Sequence, residues 1–186
     1  MNTTGNAWRI LSTLDGHLDS PVELTLYGRA AIYLGFSQPP EETAYSRDVD
    51  AVLWMGQAEE LAEQTNFWNA LEKTNELLAA DGLYISHLFV EDQVILRPCW
   101  REARVAIPAP LQKLRLFRLS DLDLLLSKLM RDDAQDLRDA LHIATAGALT
   151  DEQIRDAFTQ AVVPPIPEIT EQFAICRTKF LQSRAA

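Results

Sequence analysis

The spacing of apolar positions changes along this chain, and each change marks an element. Over Asn6–Asp19, Trp8, Leu11 and Leu18 fall on one helical stripe with Leu14 beside them. Ser20-Pro21 ends that run. Val22–Tyr27 alternates and is rich in strand formers, which predicts a strand. Gly28-Arg29 makes a tight junction into a short helix from Ala30 to Leu34. Gly35–Tyr45, with Pro39-Pro40 and Glu41-Glu42, is a loop, and Ser46–Trp54 a second strand. Gln57–Ala80 gives the clearest helical pattern, with Leu61, Trp68, Leu71 and Leu78 on one face, and Asp81-Gly82 stops it. Leu83–Val90 is a third strand, Glu91-Asp92-Gln93 a turn and Val94–Arg97 a fourth strand, with Val105–Ile107 and Leu114–Leu119 as further short ones.

Beyond residue 119 the pattern turns wholly helical. Ser120, with Asp123 at the third following position, caps a helix carrying the stripe Leu122, Leu125, Leu126 and Leu129. A second runs from Ala134 to Ala146 on Ala134, Leu137, Leu141 and Ala144. Thr150 with Gln153 repeats the cap before a third, and Pro164, Pro165 and Pro167 form a stiff connector to a last helix over Glu168–Arg184. Strand and helix do not alternate regularly, so a doubly wound sheet is not expected. The pattern predicts an α+β protein: a small mixed sheet over residues 1–119, followed by a helical portion over 120–186 packed on that core.

Composition adds limits. The chain has 186 residues, 47% of them hydrophobic and 24% charged, which suits an ordinary globular core. No stretch is apolar enough to span a bilayer, and Met1–Arg9 lacks the features of a secretory signal, so a cytoplasmic protein without membrane attachment is expected. Cys99 and Cys176 stand far apart and read as reduced thiols. The net charge of −10 opposes broad nucleic-acid binding. Within it, Arg97, Arg101, Arg104, Lys113, Arg115 and Arg118 face a single acid, Glu102. That stretch is either a solvated face or a local phosphate-binding surface.

The sharpest chemical feature is Arg47-Asp48-Val49-Asp50-Ala51-Val52-Leu53-Trp54. On a strand, Asp48 and Asp50 project to one face and Val49 to the other. Two adjacent carboxylates repel unless a cation lies between them, and Mg2+ suits such a pair; the alternative is a solvated strand edge. Upstream, Leu24-Thr25-Leu26-Tyr27-Gly28-Arg29-Ala30-Ala31-Ile32 runs from a strand through Gly28 into a helix, where backbone N–H groups can approach a phosphate.

A strand ending in a small-residue turn, followed by Asp-x-Asp on the next strand, resembles the nucleotidyltransferase fold superfamily. The closer likeness is to its uncharacterised and toxin-type branch, which includes the abortive-infection toxins of bacterial toxin–antitoxin systems. A second signature of that branch is matched by Leu124-Leu125-Leu126-Ser127-Lys128-Leu129-Met130-Arg131 and then Asp136-Leu137-Arg138-Asp139. Together the matches span Val22 to Ile143. The resemblance implies that Asp48 and Asp50 bind Mg2+, that Gly28, Arg29 and Arg131 face the nucleotide, and that Lys128 contacts phosphate. Asp136 and Asp139 would complete the site or hold Lys128 and Arg131. The implied activity is transfer of a nucleoside monophosphate from an NTP to an acceptor hydroxyl on RNA or protein, with a cognate antitoxin as partner. The alternative is a catalytically inactive relative serving as a binding or antitoxin-like protein. Two features depart from the pattern. Arg29 follows the turn glycine where a small residue is usual, and the strand Leu83–Val90 has no carboxylate, His87 being its only ionisable residue.

Overall fold

The computed structural model describes residues 4–185. The chain divides into two compact units, Met1–Val90 with Val105–Arg118, and Glu91–Arg104 with Leu119–Ala186. The segment Glu91–Arg104 therefore belongs with the helical unit rather than with the sheet.

The first unit holds five strands: β1 (Val22–Tyr27), β2 (Asp48–Leu53), β3 (Tyr84–Val90), β4 (Val105–Ile107) and β5 (Leu114–Arg118). They form one sheet in the order β3-β2-β1-β5-β4. β1 runs antiparallel to β2 and parallel to β5, β2 is parallel to β3, and β4 antiparallel to β5. This is the expected mixed sheet. Its helices are α1 (Asn6–His17), α2 (Gly28–Gly35), α3 (Met55–Ala62) and α4 (Thr65–Leu78). Central β1 buries Leu24, Thr25 and Leu26 completely, as a strand covered on both faces must. From α1, Ala7, Ile10, Leu11 and Leu14 join that core, with Trp8 left half-buried.

One buried carboxylate ties α1 to the sheet. Asp15, 9% exposed, accepts the backbone N–H groups of Gln112 (3.0 Å), Lys113 (2.8 Å) and Leu114 (2.7 Å), where β5 begins. Burial pushes its carboxyl up, but the three N–H donors and the nearby Lys113 ammonium outweigh this and hold it below the ordinary carboxylate range.

Two expectations are corrected here. The helix expected over Gln57–Ala80 is two, because Gln64 leaves helical geometry (φ −89°, ψ 79°) between α3 and α4. The buried face of α4 is Phe67, Ala70, Thr74 and Leu78, so Leu78 stays on the expected face while Phe67 and Ala70 replace Trp68 and Leu71. Trp68 stays 40% exposed and donates its indole N–H to the Leu61 carbonyl at 2.9 Å. Val94–Arg97 is not a strand but makes a single bridge, Leu96 with Val162.

The second unit carries α5 (Asp121–Ser127), α6 (Ala134–Ala146), α7 (Asp151–Gln160) and α8 (Pro167–Ala185). α5 packs on α6 and α7, and α6 on α8. Ser120 caps α5 through the Asp123 N–H, and Thr150 and Gln153 form a complete capping box on α7. Asp123, fully buried, receives the Arg97 backbone N–H at 3.0 Å and its guanidinium at 2.8 and 3.1 Å, anchoring the 91–104 segment to α5. Phe158 meets Phe173 and Phe180 edge-on.

Candidate functional site

Asp48 and Asp50 lie on β2 as the alternation requires: Val49 between them is fully buried, while both aspartates are half-exposed. Each carboxylate is oriented by a serine. Ser46 donates to Asp48 Oδ1 at 2.9 Å, and Ser86 of β3 donates to Asp50 Oδ1. The imidazole of His87 lies beside the same oxygen, Nδ1 at 3.8 Å, and its ring packs against Phe89.

β1 delivers Gly28 to this place, since Tyr27 pairs with Asp50. Gly28 has φ +69°, a left-handed value that strains any residue with a Cβ. A Cβ placed there would sit 3.5 Å from Asp50 Oδ2, an ordinary contact, so backbone conformation rather than space demands glycine. The structure thus brings Gly28, Ser86 and His87 around Asp50 at the start of α2, with Asp48 two residues earlier on the same strand. Arg29, 17% exposed in its side chain, sets Nη2 3.8 Å from Glu42 Oε1.

Lys128, Arg131, Asp136 and Asp139 belong to the second unit and form a cluster of their own. The Lys128 side chain is 6% exposed and donates to Asp136 Oδ1 at 3.0 Å and Asp139 Oδ2 at 2.7 Å. Arg131, mostly exposed, adds a charge-assisted bond to the other Asp136 oxygen. Asp133 caps α6 and fixes where Asp136 and Asp139 stand. Of the two roles implied for these aspartates, this geometry displays the holding of Lys128 and Arg131.

The basic stretch from Arg97 to Arg118 is divided between the two units. Arg97 is tied to Asp123, Lys113 donates to the Leu18 carbonyl, and Arg118 is buried over the Phe36 ring at 4.5 Å. The first three of its basic residues lie in one unit and the last three in the other. Among the described residues, no three His, Cys, Asp or Glu side chains converge as a metal cluster, and no helix is long and apolar enough to cross a membrane.

Sequence reasoning missed Ser46 and Ser86, the hydroxyls that orient the two acids. For Ser86 a signal existed: Ser86-His87 are adjacent polar residues inside an otherwise apolar strand, a break in alternation that marks a bulge. Asp15 gave none, because its three donors lie almost a hundred positions away. Set against protein families, curated proteins and solved structures, the chain matches none.

Proposed function

We propose that this protein is a nucleotidyltransferase-like enzyme that binds a nucleoside triphosphate with Mg2+ at Gly28, Asp48 and Asp50. It transfers the nucleoside monophosphate to an acceptor hydroxyl, as a toxin of the toxin–antitoxin kind. One observation carries the reading. Two serine-oriented carboxylates stand side by side on β2, and the left-handed Gly28 opens the start of α2 beside Asp50 Oδ2. The donor set fits a hard cation held by one or two carboxylates and completed by water and phosphate oxygens. When bound, that cation would offset charge on the phosphates.

The remaining contributions come from the chain itself. Ser46 and Ser86 hold Asp48 and Asp50 in one orientation, so little rearrangement is needed on binding. The N–H groups at the start of α2 face the triphosphate, where the helix dipole favours negative charge. In the transfer, the acceptor oxygen bonds to the α-phosphorus as the bond to pyrophosphate breaks. Lys128 acts indirectly, as the buried tie between α5 and α6.

The second reading is a catalytically inactive relative acting as a binding or antitoxin-like partner. The lack of any carboxylate on β3 favours it. Isothermal titration with each NTP, with and without Mg2+, separates the two. Mg2+-dependent binding lost in an Asp48→Ala/Asp50→Ala double variant is the expected result. No binding at millimolar ligand by a folded protein leaves the partner reading.

A further inference from the structure

The register of β3 against β2 slips by one residue at Ser86. Val49 pairs with Ile85, yet Asp50 pairs with His87 rather than Ser86. Without the slip, Asp50 would face Ser86, and His87 would pair with Ala51, whose side chain is fully buried. Because side chains alternate, a one-residue shift moves every later residue to the opposite face. The bulge therefore turns His87 out of the core, leaving its side chain 66% exposed, and sets its Nδ1 3.8 Å from Asp50 Oδ1. Bulges of this kind re-aim side chains beside functional sites.

We propose that His87 is a cation ligand, and that Asp50 and His87 form a cross-strand donor pair favouring a first-row transition cation over Mg2+. This rests on the nucleotide-binding reading above. Donors in a coordination shell with bonds of roughly 2.1 Å lie about 3.0–3.4 Å apart, so a small rotation of the exposed imidazole brings it into the same shell as Asp50. Water and triphosphate oxygens fill the other positions. Imidazole nitrogen is a softer donor than carboxylate oxygen and adds affinity for Co2+ or Zn2+ that Mg2+ does not share.

The test is titration calorimetry of untagged full-length protein with Co2+ and with Mg2+, each with a non-hydrolysable NTP present, on wild type, His87→Ala and the Asp48→Ala/Asp50→Ala double variant. Because His87 is exposed, its replacement leaves the fold intact, which circular dichroism checks. His87→Ala is expected to weaken Co2+ binding by at least roughly tenfold while Mg2+ binding stays within about twofold. Pulsed electron paramagnetic resonance of the Mn2+-loaded wild type is expected to show nitrogen coupling that His87→Ala lacks. If His87→Ala leaves both cations unchanged while the double variant loses them, the ligand role is overturned and the nucleotide site stands. If wild type binds neither cation with NTP, both readings fall.

Discussion

Replacing Lys128 with Met removes an ammonium from a buried site that holds two carboxylates. Asp136 and Asp139 are 4% and 2% exposed in their side chains, and Lys128 bonds both, at 3.0 and 2.7 Å. Removing one partner of a buried charge pair costs about 3–5 kcal/mol, chiefly because the remaining charge stays out of water. Arg131 still reaches Asp136 but bonds it from an exposed position. A cost within that range is expected, expressed in α5 and α6. Urea denaturation followed by circular dichroism, together with amide exchange over α5 and α6, measures it at neutral pH. The triple variant Lys128→Met/Asp136→Leu/Asp139→Leu removes all three charges and is expected within about 1–2 kcal/mol of wild type, since a well-packed apolar replacement of a buried ion network is often neutral. A Lys128→Met protein within about 1 kcal/mol of wild type would refute the reasoning. It would mean that the ammonium is solvated in solution and available to a phosphate.

Three further outcomes are expected. Asp15→Asn should cost about 1.5–3 kcal/mol at pH 7, the worth of hydrogen bonds to a charged group. Its folded carboxyl lies below the unfolded value, so its stabilisation is present above the ordinary carboxylate range and lost as pH falls through the folded value; the gap between variant and wild type in thermal melts should close as pH falls below the ordinary carboxylate range. Gly28→Ala should cost about 1–2 kcal/mol from the left-handed backbone alone, and equal melting temperatures would contradict the φ of +69°. Burial, with the Asp132 and Asp136 carboxylates, pushes the Cys176 thiol up while Cys99 is exposed, so a thiol reagent at neutral pH should label one cysteine quickly, and Cys99→Ser should abolish that phase.

The strands and most helix ends were legible in the chain because single residues announce them. Val22–Tyr27 falls where alternation places it, and Ser120 and Thr150 cap as their spacing requires; the bounds of Ala134–Ala146 are as expected, but its buried face is Asp136, Asp139, Ala140, Ile143 and Ala144 rather than Ala134, Leu137, Leu141 and Ala144. The pairing of Asp48 with Asp50 was legible too, being a property of one strand. What stayed hidden depends on distant partners. The kink at Gln64 has no proline or glycine to mark it, and it shifted the buried face of α4 from Trp68 to Phe67. The basic stretch looked continuous because charge was counted along the sequence, whereas Lys113 and Arg118 are each committed to local contacts within the sheet unit. The acids that hold Lys128 among its neighbouring leucines arrive from the next helix, which the local sequence does not announce.

The excursion of residues 91–104 into the helical unit makes the sheet unit discontinuous in the chain. Central β1 has β5 as its parallel neighbour, and β5 ends at Arg118. During synthesis, the first 90 residues can form only the β3-β2-β1 half of the sheet, and Asp15 waits without its donors until Leu114 leaves the ribosome. A nascent chain stalled near residue 100 would present the open edge of β1 to any strand at hand. Chaperone capture, or pairing with a second nascent chain on the same message, is therefore most consequential in that interval. A fragment meant to isolate the sheet unit must join residue 90 to residue 105 through a new linker, since no single cut releases it.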